Sequence, residues 1–172
     1  MSEKKPNKAA RTATRGPGQL DATDRRILSE LRNNARLTVS ELAGRVNLSQ
    51  SPCWTRVKRL EESGAIEQYV AVLDHKALGF ANTFFVEITL DKHVSGVLDR
   101  FGQMLADTPE VLEVHLVTGE YDYLVKVVVA DIEDFDRLLH ERFYKIEGIR
   151  HTRTLLTLRT LKRSLSVDPM LV

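Results

Sequence analysis

The chain has 172 residues, of which 42% are hydrophobic and 28% charged, and its net charge is +1. This composition is ordinary for a globular protein, and the length suffices for one large or two small domains. There is no apolar run long enough to span a bilayer, and Cys53 is the single cysteine, which excludes an internal disulfide framework. These features predict a cytoplasmic protein without a membrane partner.

Charge is distributed unevenly along the chain. Residues 1–73 contain 13 Lys/Arg and 8 Asp/Glu, whereas residues 74–172 contain 12 Lys/Arg and 16 Asp/Glu. The net charges of +5 and −4 indicate that only the front of the chain meets a polyanion. Residues 1–19 hold five cations among Pro and Gly, and they are predicted to be a disordered basic arm. This arm is either a mobile tail or an additional non-specific contact to DNA.

Three helices are predicted at the front of the chain. Apolar spacing and capping residues place them at about Asp21–Asn33, Thr38–Val46 and Ser49–Ser63. The following stretch, Ile66–Leu73, alternates apolar and polar residues before becoming apolar, so it is predicted to be a strand. Helix, helix, helix, strand is the order of a winged helix-turn-helix, which is assigned to residues 20–73.

The third predicted helix has two chemically different faces. Cys53, Val57 and Leu60 recur at i, i+4 and i+7 and are predicted to pack inward. The opposite face carries hydroxyl and cationic groups without aliphatic side chains, a pattern that fits the major groove of DNA. An ordinary surface helix with a solvated basic face is the alternative. The candidate DNA-binding residues are Ser49, Gln50, Ser51, Trp54, Thr55, Arg56, Lys58 and Arg59.

The remainder of the chain has a different pattern of predicted strands and helices. After a connector over residues 74–81, strands are predicted at about 82–90, 111–118, 123–129 and 151–161, and helices at about 94–106 and 131–144. This β-α-β-β-α-β order is the split βαβ, ferredoxin-like arrangement, assigned to residues 82–162, with residues 163–172 as a C-terminal tail. The strands hold more apolar residues than one helix-covered face can bury, so the other face is predicted to meet a second protomer. The core residues predicted on the last helix are Ile132, Phe135, Leu138, Leu139 and Phe143.

The chain resembles the leucine-responsive regulatory protein/AsnC (Lrp/AsnC) family of bacterial and archaeal transcription regulators. The resemblance covers roughly Leu20 to Lys162 and rests on LDATDRRILSEL, SPCWTRVKRLEESGAI, VHLVTGEYDYLVKV and HTRTLLTL. It implies an α+β protein whose C-terminal domains form a homodimer, assembled further into tetramers or octamers. It also implies that the helix Ser49–Ser63 reads double-stranded DNA and that a small effector, an amino acid, binds between C-terminal domains. A nucleoid-associated regulator of amino-acid metabolism is the expected function.

By the same resemblance, the turn Gly119–Tyr123 borders the effector pocket. Asp122 or Glu120 offers a carboxylate to the ammonium of an amino acid, and exposed N–H groups near the glycine suit its carboxylate. A plain hairpin with solvated acids is the alternative. The candidate effector-binding residues are Thr118, Gly119, Glu120, Tyr121, Asp122, Tyr123, Thr154 and Leu156.

An enzyme is the competing class, because ferredoxin-like domains host many activities. The five histidines show no HxxxH or HExxH spacing, and the sequence has neither a G-x-S-x-G elbow nor a phosphate-binding P-loop. We therefore predict no catalytic residue, metal or cofactor. A DNA-organising protein of the same family that ignores ligands is a second alternative, and ligand-dependent DNA binding separates it from a regulator.

Overall fold

The structure, a computed structural model, describes residues 20–91, 97–146 and 148–171, and the side chains of residues 97–100 lie outside this description. The predicted arm over residues 1–19 also lies outside the described residues. The chain divides into two compact units, of which the first joins the segment up to Ala71 with the segment from Ser164, and the second runs from Val72 to Arg163. No helix in the described ranges is long and apolar enough to cross a membrane.

Helices dominate the first unit. They are α1 (Ala22–Asn33), α2 (Val39–Arg45) and α3 (Gln50–Glu62), and a 3-10 turn over Pro169–Leu171 closes the unit. The three predicted helices are confirmed. Capping boxes start the first two, pairing Asp21 with Asp24 and Thr38 with Glu41. Asn47, in the turn before α3, has a φ of 57°, a left-handed backbone that asparagine tolerates well.

The three helices enclose a small apolar core. Cys53 and Leu60 are buried as predicted, and Val57 packs against them while remaining partly exposed. Burial raises the pKa of the Cys53 thiol, as expected for a structural cysteine. The fully buried members of this core are Ile27, Leu42, Ala43, Val46, Cys53 and Leu60.

The C-terminal segment packs on α1. The Arg25 guanidinium donates to the carbonyl oxygen of Pro169 at 3.2 Å. Arg32 donates to the carbonyl oxygen of Ser166 at 3.1 Å and to the hydroxyl of Ser164 at 3.2 Å. The tail therefore completes the helical unit, although it follows the second domain in the sequence.

The strand predicted at Ile66–Leu73 is not formed. Residues 67–74, all of them described, have neither helical nor strand assignment. A strand needs a hydrogen-bonded neighbour, and no described segment of this protomer pairs with it. Tyr69, Val70, Val72 and Leu73 are each about half exposed. The β-prone sequence is present here, but the ladder partner is not.

A four-stranded sheet forms the second unit. Its strands are β1 (Asn82–Leu90), β2 (Val111–Leu116), β3 (Tyr123–Val129) and β4 (Ile149–Leu156). Its helices are α4 (Val97–Ala106) and α5 (Ile132–Leu138), and α5 continues as a π-helical turn over Leu139–Phe143. The strand order is β2-β3-β1-β4 with antiparallel neighbours throughout, which confirms the ferredoxin-like prediction.

β4 ends at Leu156 instead of the predicted Leu161. The last ladder bond runs from the N–H of Thr157 to the carbonyl oxygen of Thr83, near the start of β1. Beyond this point no described strand is available for pairing, so the Thr/Leu alternation continues without a ladder. Leu158 is accordingly 94% exposed.

One face of the sheet carries the core of the second unit. Phe84 stacks on Phe135 with ring centroids 3.9 Å apart, and Phe101 meets Tyr123 at 5.4 Å. Ile132 was predicted to face this core but is 62% exposed, because it begins α5 where no described neighbour covers it. The other predicted core residues of this helix, Phe135, Leu138, Leu139 and Phe143, are buried as predicted.

Candidate functional site

A fully buried carboxylate joins α1 to α3. Asp24 is 0% exposed, and its two oxygens accept hydrogen bonds from Arg56 at 2.8 Å and Arg59 at 2.5 Å. Arg56 also donates to Asp21 at 2.5 Å. A buried charge is costly unless it is paired and hydrogen-bonded, and the two guanidinium groups satisfy this requirement. Ion pairs as well as apolar packing therefore fix the position of α3.

These contacts also shift the acid–base behaviour of the cluster. The backbone N–H of Asp24, followed by the Arg56 guanidinium, holds the pKa of Asp21 below its usual value. Hydrogen bonds to Asp21 and Asp24 raise the pKa of Arg56. Because the folded-state pKa of Asp21 is lowered, its contribution to stability is complete above the unfolded pKa and is lost as pH falls through the folded value.

The exposed face of α3 carries the remaining candidate DNA-binding residues. Ser49 is the N-cap residue and makes no side-chain capping bond, whereas the Gln50 amide donates to the hydroxyl of Ser40 at 3.2 Å. The Thr55 hydroxyl donates to the carbonyl oxygen of Ser51 at 3.1 Å, which leaves its lone pairs accessible at the surface. An open cleft of about 380 Å³ lies along this face. It is lined by Ser51, Pro52, Thr55, Arg56 and Arg59.

Lys58 and Trp54 form the other edge of this face. Trp54 is 52% exposed, and the Lys58 ammonium lies 5.9 Å from the centre of its ring, within cation–π range. Lys58 also pairs with Glu61 at 2.8 Å, which raises the pKa of the lysine. The Tyr69 hydroxyl donates to Glu61 at 3.1 Å, and desolvation together with this carboxylate raises the pKa of Tyr69 to about 12. Thus Glu61 attaches the segment after α3 to the helix.

The turn between β2 and β3 is tied to β1 through Asp122. Its N–H donates to the carbonyl oxygen of Ile88 at 2.9 Å, and one carboxylate oxygen accepts from the N–H of Leu90 at 2.8 Å. The second oxygen has no hydrogen-bond partner among the described residues. Gly119 has a φ of +136°, which favours glycine over any residue with a Cβ. Asp122 therefore anchors the turn to β1 through both its backbone and its side chain.

The other candidate effector residues fall into three groups. Thr118 and Glu120 are exposed and Tyr121 is half-buried, whereas the ring of Tyr123 is only 4% exposed and belongs to the core. Thr154 and Leu156 are exposed on β4, opposite Val86 and Phe84.

The two parts of the candidate effector site attach to different places along β1. The turn bonds to β1 at Ile88, whereas Thr154 pairs with Val86 and Leu156 pairs with Phe84. These two positions lie two and four residues from Ile88, which corresponds to about 7 and about 13 Å along the strand. Leu156 is therefore the more remote of the two β4 residues from the turn.

Asp24 was missed by the sequence analysis, although a signal was present. Leu20, Asp24, Ile27 and Leu31 recur at the spacing of one helical face, so an acid stands inside an apolar stripe. A charged residue in such a position requires a paired partner, which the structure shows to be Arg56 and Arg59 of α3. For metal ions, no cluster of three or more His, Cys, Asp or Glu side chains occurs within the described ranges.

A three-helix unit with an exposed, partly cationic helix, joined to a ferredoxin-like unit, defines a two-domain DNA-binding regulator. Residues 20–67 match the winged helix-turn-helix DNA-binding family, and residues 83–167 match the Lrp/AsnC ligand binding domain. The leucine-responsive regulatory proteins of Escherichia coli (strain K12) and Klebsiella pneumoniae are each 40% identical over 149 residues, covering 86% of this chain and 91% of theirs. The chain belongs to the Lrp/AsnC family of transcription regulators.

Solved structures of related proteins agree with this assignment. A Neisseria meningitidis transcriptional regulator in complex with L-methionine is 32% identical with a TM-score of 0.83, covering 87% of this chain and 96% of that one. An AsnC family regulator from Agrobacterium tumefaciens is 36% identical with a TM-score of 0.82, covering 86% and 96% respectively.

Removing both guanidinium partners of Asp24 tests the ion cluster. Arg56→Ala combined with Arg59→Ala leaves a buried charge unpaired, which we expect to lower the free energy of unfolding by about 3–5 kcal/mol. Arg26→Ala, an exposed arginine on α1, should change it by less than about 0.5 kcal/mol. Urea denaturation followed by fluorescence of Trp54 measures both variants. Equal stability of the double variant and the control would contradict the role of the cluster.

Proposed function

We propose that the protein recognises specific DNA sites through the exposed face of α3 and that an amino acid bound at the turn Gly119–Tyr123 modulates this binding. The observation that carries the proposal is the fixed placement of α3, whose outer face offers hydroxyl and cationic groups. The L-methionine complex of the Neisseria meningitidis regulator supports an amino-acid effector. Regulation of amino-acid metabolism at the nucleoid, in the cytoplasm, is the corresponding role. A DNA organiser that ignores ligands is the alternative.

Different side chains of α3 contact different parts of the DNA in this proposal. Arg59 uses one nitrogen for Asp24, and its side chain is still 56% exposed, so its other N–H groups are available to a base edge. Ser51 and Thr55 lie beside it in the cleft and can donate or accept. Lys58 lies further along the helix, where an ammonium suits a phosphate.

Alanine substitution along α3 tests this division on an operator obtained by selection from random DNA. Arg59→Ala should weaken operator binding by about 1–3 kcal/mol, whereas Lys58→Ala should reduce the salt slope of log K by about one. Fluorescence anisotropy at several salt concentrations measures both quantities, and Arg26→Ala serves as the matched control. Unchanged affinity and salt dependence for alanine at Ser51, Thr55, Lys58 and Arg59 would exclude α3 as the reading helix.

A homodimer formed through the open face of the sheet supports the two-fold arrangement expected for DNA half-sites. This face carries Phe85, Leu124 and Leu155, and the last is 40% exposed. Arg153 lies 3.7 Å from Glu87 on the same face, so these opposite charges are already paired. An apolar surface with internally paired charges suits a second copy of the same sheet. The resemblance to the family adds assembly into tetramers or octamers.

The unpaired segment after α3 gives independent support for a partner. Residues 67–74 have β-prone sequence and half-exposed apolar side chains but no ladder within the protomer. Contact with another protomer would cover them and satisfy their backbone groups.

A charge placed on the open sheet face should weaken the dimer. Leu155→Asp buries an unpaired carboxylate in the proposed interface, and we expect the dimer dissociation constant to rise by at least about tenfold. Ile132→Asp places the same charge on an exposed residue of α5 and should have no effect. Sedimentation equilibrium of the full chain measures both. A Leu155→Asp protein that associates as tightly as the control would place the interface elsewhere.

The effector proposal rests on the two acids of the turn. Glu120 is exposed without a described hydrogen-bond partner for its side chain, and Asp122 keeps one oxygen for an ammonium group. Because Leu156 lies about 13 Å along β1 from the turn, contact of the same ligand with Leu156 would come from a neighbouring protomer. A ligand in this position influences DNA binding only through its different affinities for two arrangements of the assembly.

Neutral replacements at the turn test the effector site. Asp122→Asn keeps an acceptor for Leu90 and loses the charge, so we expect at least about tenfold weaker binding of the effector with ligand-free DNA binding intact. Thermal shifts with the twenty amino acids identify the effector, and calorimetry compares Asp122→Asn and Glu120→Gln with the exposed control Glu133→Gln. Effector affinity at the control level would move the pocket elsewhere, and loss of ligand-free DNA binding would make the turn purely structural.

A further inference from the structure

Glu61 connects the exposed face of α3 to the segment that follows the helix. Its Oε2 atom accepts a hydrogen bond from the Lys58 ammonium at 2.8 Å, and its Oε1 atom accepts one from the Tyr69 hydroxyl at 3.1 Å. The same ammonium lies 5.9 Å from the centre of the Trp54 ring. One carboxylate thus contacts both the cation proposed for a DNA phosphate and a side chain of residues 67–74.

The charge of this carboxylate offsets the charge of the lysine beside it. The Lys58 ammonium, more than the Tyr69 hydroxyl, lowers the pKa of Glu61 against the opposing effect of desolvation, so the acid is ionised at neutral pH. The lysine ammonium is a compact point charge, and a carboxylate at hydrogen-bond distance cancels much of the field that an approaching phosphate would meet. Lys58 paired in this way is a weaker phosphate ligand than a free lysine.

The pair of Lys58 and Glu61 differs from the ion cluster around Asp24. Asp24 is fully buried and pairs with guanidinium groups, which keep further N–H donors for DNA. The side chains of Lys58 and Glu61 are 48% and 28% exposed, so solvent and a DNA strand can reach their contact. Exposed ion pairs add little to stability, and this pair can therefore exchange partners without loosening the helix.

We infer that Glu61 is a positioning residue that restrains phosphate binding by Lys58 and makes this binding depend on the segment after α3. A DNA phosphate has to displace the Glu61 carboxylate before it can take its place on the ammonium. The Tyr69 hydroxyl holds the other oxygen of Glu61, so the carboxylate keeps a partner when Lys58 turns to DNA. The inference rests on the proposed role of α3 in DNA binding.

Tyr69 makes the conformation of residues 67–74 part of this exchange. Desolvation and the neighbouring Glu61 raise the pKa of the Tyr69 hydroxyl to about 12, so it remains a hydrogen-bond donor at physiological pH. A conformation that withdraws Tyr69 leaves Glu61 with Lys58 alone and strengthens its competition with phosphate. An event that fixes the segment with the Tyr69 bond intact therefore favours DNA binding, and an event that breaks the bond opposes it.

Titration of the full chain with a fluorescein-labelled duplex of random sequence tests the inference, because phosphate contacts dominate binding to such DNA. Glu61→Gln keeps the shape of the side chain and removes its charge, so we expect binding at low salt to tighten by about three- to tenfold. Glu62→Gln is the matched control, because this exposed acid on the same helix acts on Lys58 through charge alone. It should give less than about half of that gain, because it leaves the carboxylate on the ammonium in place.

Tyr69→Phe tests the contribution of the segment. It keeps the ring and removes the hydroxyl, so we expect DNA binding to weaken by about two- to threefold. Tyr144→Phe, which alters a half-exposed tyrosine of the other unit, is the matched control and should have no effect. Urea denaturation followed by Trp54 fluorescence verifies that every variant is folded.

A Lys58→Ala background separates the two levels of the argument. There the difference between Glu61→Gln and Glu62→Gln should fall below about twofold, because the carboxylate has no ammonium left to restrain. The inference is overturned if Glu61→Gln binds no tighter than Glu62→Gln, if its full gain persists without Lys58, or if Tyr69→Phe binds as its control does. Unchanged affinity and salt slope in Lys58→Ala alone is a distinct result, which contradicts the proposed phosphate contact of α3 and this inference with it.

Discussion

The buried carboxylate of Asp24 determines the position of α3 and which of its cations are held by the protein itself. Its two oxygens fix two arginines of that helix, so part of the cationic face is committed to the scaffold. The side chains of Arg56 and Arg59 are nevertheless 30% and 56% exposed, and each guanidinium has more donors than these bonds require. Pairing to a buried acid restricts their rotamers in the free protein, which would lower the entropy lost in the DNA contact proposed for them. One ion cluster thus supplies both the position of the helix and the order of its cations.

The C-terminal tail adds a second covalent connection between the units. The chain leaves the helical unit after Ala71 and returns to it at Ser164. The bond from Arg25 to the tail is partly buried and the bond from Arg32 is exposed, and each contributes about 0.5–1.5 kcal/mol. The tail therefore belongs to the helical unit, although it follows β4 in the sequence.

Local sequence information explained the features that depend on local chemistry. The capping boxes and apolar spacing predicted all three helices of the first unit, and alternating β-formers predicted the four strands of the sheet. The errors arose where the deciding factor was a partner distant in sequence. Ile66–Leu73 has the composition of a strand but no ladder, and β4 stops where β1 has no further residue to offer. Asp24 was overlooked because its meaning depends on arginines more than thirty residues away.

The geometry of the candidate effector residues relates ligand binding to assembly. The turn and Leu156 attach to β1 at points about 13 Å apart, whereas Thr154 pairs only two residues from the place where the turn attaches. A small ligand that contacted the turn and Leu156 would therefore lie between two protomers, whereas one that contacted the turn and Thr154 need not. By linkage, a ligand shared by two protomers tightens their association by the same factor by which association tightens ligand binding. Dependence of ligand affinity on protein concentration therefore distinguishes a shared site from a site within one protomer, without any knowledge of the operator.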